Sequence, residues 1–67
     1  MEYILFRDFL RTKRKAKHRS QEQLAGDLGI NPNTVSRWEL GVSSPTMDYA
    51  MELADKLGGK IVIVDKE

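Results

Sequence analysis

Three polar residues, Asn33, Ser36 and Arg37, carry the most specific chemistry in this 67-residue sequence. Asparagine holds an amide donor and acceptor side by side and pairs with adenine; arginine holds a fork of N–H donors and pairs with guanine; serine serves either. At about 100° per residue on a helix, these three and Leu40 fall on one arc about 100° wide. Val35 and Trp38 lie nearly opposite. Such a helix is fixed from behind by its apolar side and presents its polar side to base edges. The plainer reading is a surface helix with a polar outer face, and this helix alone does not separate the two.

The surrounding stretch, residues 20–41, must position that arc. Ser20 can cap a short helix, and Gln23 three residues on completes a capping box. Leu24, Ala25 and Leu28 form its inward face. Gly29 can take the left-handed conformation that ends it, and Ile30 turns inward from the loop. Asn31 can cap the next helix, 32–40, with Pro32 at its first position, where a missing N–H costs nothing. Gly41 follows as a stop. Two helices joined by so short a turn cross steeply. That is a helix-turn-helix unit, whose second helix can lie in a DNA major groove.

Composition narrows the alternatives. A chain of this length forms one domain that buries only about 60% of its unfolded surface, so its core is marginal. There is no cysteine and a single histidine, which excludes disulfides, thiolate metal sites and a histidine metal cluster. No glycine-rich phosphate loop and no nucleophile beside a partner base is present, so the sequence does not read as an enzyme, and no cofactor is expected. No apolar run approaches the roughly 20 residues of a membrane span. The N-terminus is broken by Arg7 and Asp8 and is not a signal peptide. A soluble, cytoplasmic protein follows as the expectation.

The net charge is only +1, but Arg7, Arg11, Lys13, Arg14, Lys15, Lys17 and Arg19 are seven of the eleven basic residues. One end of the molecule is therefore basic, as a phosphate-facing surface would be. A solvated helix face is the bland explanation, and the neighbouring helix-turn-helix decides against it.

Residues 3–17 place Leu5, Phe6, Phe9 and Leu10 at the spacing of an amphipathic helix. Residues 3–6 alone also suit a strand, but the spacing continues through Phe9 and Leu10, so a helix is expected. Arg7, Arg11, Lys15 and Arg19 follow at i+4 steps on its wet face. After the loop 42–45, Thr46 can cap a helix over 47–57. Met47, Ala50, Met51, Ala54 and Leu57 are its expected core face, and the methionine pair is read as core rather than as a partner surface. Gly58 and Gly59 stop it. The β-branched run Lys60–Val64 reads as a strand in need of a mate. Either Tyr3–Phe6 or the same strand of a second subunit supplies it, the second being preferred. The expected fold is thus mainly α, a compact four- to five-helix bundle with a helix-turn-helix and a short C-terminal β-strand. Residues 1–59 form the DNA-binding domain; residues 60–67 form a strand and tail for dimerisation.

The run SQEQLAGDLGINPNTVSRWELGVSSPTMDYAMELADKLG resembles the DNA-binding domains of phage repressor and Cro-type (XRE-like) regulators. The resemblance spans about residues 10–58 without a gap. It rests on Q-x-x-L-A in the first helix of the unit, the LGI turn, TVSRWE in the second, Gly41, Pro45 and an L-A-x-x-L near the end. It implies a repressor acting as a homodimer on a palindromic operator in a bacterial or phage setting. It further implies that Asn33, Ser36 and Arg37 read bases. Gln21 touches a backbone phosphate, and Asn31 and Thr34 match phosphate or groove-edge positions. Glu39 matches a glutamate paired with an arginine on the first helix, a place that Arg14 occupies, and the pair is structural.

Departures from the family pattern add expectations. His18 stands where a glycine is usual and adopts the left-handed cap at some strain. Arg19 replaces an apolar residue and can reach a phosphate, as Lys15 can from the first helix. Pro32 stands where many relatives place a polar base contact. Leu40 and Val42 stand where polar phosphate contacts are common, and either meet a thymine methyl or are simply exposed.

Two other readings compete. Some small proteins of this type are antitoxins that bind a toxin partner and repress their own operon. The basic first helix could instead lie on an acidic protein or membrane surface.

Overall fold

The computed structural model describes residues 5–59 and 61. Among these residues four helices follow one another: α1 (Phe6–Ala16), α2 (Gln21–Leu28), α3 (Pro32–Leu40) and α4 (Met47–Lys56). None of them is long and apolar enough to cross a membrane.

The helix boundaries follow local side-chain chemistry. Ser20 Oγ accepts from the Gln23 backbone N–H at 3.0 Å, and the Ser20 N–H donates to Gln23 Oε1 at 2.8 Å, closing the capping box of α2. Gly29 ends α2 at φ 69°, and the Ile30 N–H returns to the Ala25 carbonyl at 2.9 Å. That bond fixes the sharp turn into α3. Asn31 Oδ1 accepts from the Asn33 N–H at 2.8 Å, with Pro32 behind it in the first turn. Thr46 Oγ1 caps α4 by accepting from the Tyr49 N–H at 3.3 Å.

The helices meet on one core of Leu10, Leu24, Ala25, Val35, Trp38, Leu53 and Leu57. Phe6, Phe9, Leu28, Ile30 and Tyr49 pack against it. Trp38 is central: its ring lies 5.8 Å from that of Tyr49, which joins α3 to α4. A buried aliphatic or aromatic side chain contributes about 1.5–3 kcal/mol, so a few of these contacts decide whether so small a domain folds.

Three sequence expectations need correction. The first helix, expected over residues 3–17, begins at Phe6, because Leu5 is its extended N-cap; Leu5 is exposed and does not join the apolar stripe. Phe6 is helical, so the strand alternative fails there. In α4 the buried face is Ala50, Leu53, Ala54 and Leu57, whereas Met47 and Met51 are each 54% exposed. At about 100° per residue Leu53 shifts the centre of the buried arc, and Met51 falls about 110° from its middle. The third concerns the i+4 basic row, in which α1 ends at Ala16, so Arg19 leaves the row that Arg7, Arg11 and Lys15 keep.

The expected strand at residues 60–64, its alternative mate at residues 3–6 and the tail to residue 67 fall, apart from Leu5, Phe6 and Ile61, outside the described residues. Ile61 carries no regular structure.

Candidate nucleic-acid interface

α3 is held from one side only. Val35 is fully buried and Trp38 is 6% exposed, while Asn33 and Arg37 are exposed and Ser36 is half-buried. The wheel drawn from the sequence therefore describes the folded helix: an anchored back and an open front. Leu40 continues the front, exposed to solvent in the last turn. Asn31 spends its Oδ1 on the cap, leaving its amide nitrogen at the start of the same helix. Thr34, half-buried, sits one turn along.

Beside this front lies an open cleft between α1, α2 and α3. Arg11 and Lys15 line it from α1, Ser20 and Gln21 from the start of α2, and Ser36 and Leu40 from α3. Helix dipole and cations make this a favourable place for an anion.

The floor of the cleft is an ion pair. Arg14 Nε donates to Glu39 Oε2 at 2.7 Å and Nη2 to Oε1 at 3.1 Å, a two-pronged contact. The two side chains are only 12% and 5% exposed. Arg14 Nη1 also donates to the Arg19 carbonyl at 2.9 Å, so one guanidinium joins α1, the α1–α2 turn and α3. The hydrogen bond to Glu39 raises the Arg14 pKa above its ordinary value; burial lowers it, and the charge of Glu39 adds to the rise.

Gln21 belongs to the same network. Its Nε2 donates to Glu39 Oε1 at 3.2 Å. Nothing in the sequence announces this link, which spans 18 residues. It orients the amide at the mouth of the cleft while leaving its second N–H.

Arg19 is placed differently from Lys15. Its guanidinium pairs with Asp27 at the far end of α2. The i+4 rule reaches only along one helix, and Arg19 lies outside α1 and α2. Arg7 also has a role that its wet-face position does not suggest. A Cβ at Gly41 would collide with the Arg7 guanidinium, so that cation lies over the carbonyl end of α3. Gly41 has φ 76°, which favours glycine independently. His18 takes φ 55°, the left-handed backbone expected of it, in the turn that joins α1 to α2.

A sequence model of the family described as helix-turn-helix matches residues 10–64. A transcriptional regulatory protein of the HTH type from Halobacterium salinarum is 37% identical over 54 residues, 81% of this chain and 17% of that protein. The transcriptional repressor RstR of the cryptic phage CTXphi in Vibrio cholerae is 35% identical over 48 residues, 72% of this chain and 43% of the repressor. The chain thus spans less than half the length of either relative. No solved structure matches it.

Proposed function

This chain belongs to the Cro/C1-type helix-turn-helix family, and from that membership we propose that it is a sequence-specific double-stranded DNA-binding transcription regulator, a repressor acting as a homodimer on a palindromic operator. The observation that carries the reading is the asymmetry of α3. Val35 and Trp38 lock its back into the core, and Asn33, Ser36 and Arg37 stand on its open front.

In this mechanism α3 enters the major groove. Arg37 reads a guanine edge, Asn33 an adenine edge, and Ser36 supplies a shorter contact. Phosphate contacts fix the register of the helix in the groove. Lys15 reaches the backbone from α1, Gln21 from the start of α2, and Asn31 and Thr34 from the start of α3. Arg19 contributes once a phosphate competes with Asp27 for its guanidinium. The Arg14–Glu39 pair does not touch DNA; it holds α3 against α1 and aims Gln21. The homodimer doubles the readout, with half-sites about one helical turn or roughly 34 Å apart, and residues 60–67 are the proposed dimerisation element.

Selection of bound duplexes from a random pool tests the proposal. A palindromic consensus supports both reading and symmetry. A single unpaired half-site would remove the homodimer, and no consensus at all would remove sequence-specific binding. Deleting residues 60–67 and measuring mass in solution tests the dimerisation element separately, since a dimer that survives the deletion is built elsewhere.

A further inference from the structure

We propose that Leu40 is a specificity residue that meets the 5-methyl group of a thymine, an inference that rests on the DNA-binding reading above. Leu40 stands in the last turn of α3 on the same arc as Asn33 and Arg37, and it is 69% exposed. A leucine that folding leaves in water forgoes the stabilisation of burial, so a partner that covers it gains that stabilisation instead.

The surroundings identify the partner by charge. Leu40 borders the cleft that Arg11 and Lys15 line, and among the described residues Glu22 is the one exposed carboxylate there. Arg14 and Glu39, below, neutralise each other. An apolar side chain that shares a cleft with two cations, neither ion-paired among the described residues, fits a polyanion that carries an apolar group. The major groove offers one such group at a base edge, the thymine methyl, with backbone phosphates beside it for Arg11 and Lys15. A second copy of this chain fits less well, because a two-fold contact would bring the same cations together.

The test uses the duplex that the protein itself selects from random DNA. Each thymine is replaced in turn by deoxyuridine, which keeps base pairing and removes only the methyl. For the wild-type chain, one replacement is expected to weaken binding about fourfold, the effect of one methyl returned to water. Leu40→Ala is expected to bind the thymine and deoxyuridine duplexes equally. A thermal melt of L40A checks that the fold is intact, as the exposure of this side chain implies. The proposal is overturned if no replacement matters, if L40A keeps the full fourfold sensitivity, or if the selected site has no thymine. It is also overturned if L40A breaks up an oligomer in the absence of DNA, which would place Leu40 on a protein interface. A pool that yields no consensus removes the DNA reading itself and Leu40's role with it.

Discussion

Replacing Glu39 with alanine should nearly unfold this protein, although Glu39 contributes nothing to the apolar core. The carboxylate accepts two hydrogen bonds from Arg14 and one from Gln21. Its loss leaves a guanidinium that is only 12% exposed with the Arg19 carbonyl as its remaining partner. Stranding a largely buried charge costs about 3–5 kcal/mol. A domain of this size has a total stability of roughly 3–10 kcal/mol, and each kcal/mol moves its melting temperature by about 4–8 °C. The expected fall is therefore about 12–40 °C, followed by circular dichroism with heat and urea.

Arg14→Ala should cost a similar amount, since it leaves the Glu39 carboxylate with only the Gln21 amide. Arg14→Met combined with Glu39→Leu removes both charges and should recover most of the loss. Single variants that each cost under about 1 kcal/mol would refute the reasoning, because the pair would then behave as an exposed one. The contribution of the Arg14 guanidinium should also be insensitive to pH across the neutral range. Arg14 has a raised pKa when folded, so its contribution is complete below the unfolded arginine value and is lost only as the pH climbs above it, in strong alkali.

Three further outcomes are expected. His18→Gly should raise stability by about 0.5–1 kcal/mol, the relief of left-handed strain less the added freedom of glycine when unfolded; a urea midpoint that does not rise would show that His18 is unstrained. Leu53→Ala should cost about 2–5 kcal/mol and Met51→Ala within about 0.5 kcal/mol, and a reversed order in thermal melts would restore the methionine face as core. Lys15→Ala should weaken binding to any duplex and lower the slope of log affinity against log salt by about one, so an unchanged slope would remove Lys15 from the phosphate contacts.

What could be read from the sequence is local, and what could not depends on how helices cross. Ser20, Asn31 and Thr46 cap helices through bonds that reach no more than three residues, so residue type and position sufficed. The open and anchored sides of α3 follow from helical geometry once its ends are known. The face of α4 did not follow. Met47, Ala50 and Met51 satisfy the same i, i+3, i+4 spacing as Ala50, Leu53 and Ala54, and only the packing of α4 against the core chooses between them. The Arg14–Glu39 pair came from family resemblance, while Gln21 at the same carboxylate did not. Arg19 with Asp27 and Arg7 over Gly41 are likewise contacts between separate elements, which no periodicity encodes. In physical terms, caps and arcs are fixed by the backbone of one helix. Ion pairs and exposed apolar residues are fixed by the neighbours that the fold supplies.

The central claim is that α3 reads sequence rather than merely resting on phosphate. Its most direct measurement compares wild type and Arg37→Ala on the selected duplex and on a scrambled duplex of equal length, at one salt concentration. Arg37 is exposed on α3 and is not part of the apolar core, so the variant should fold normally. The account predicts a loss of about 1–3 kcal/mol on the selected duplex, roughly a 5- to 150-fold weaker Kd, with a much smaller change on the scrambled one. Equal losses on both duplexes would contradict it, leaving Arg37 as one more phosphate contact and α3 without its reading role.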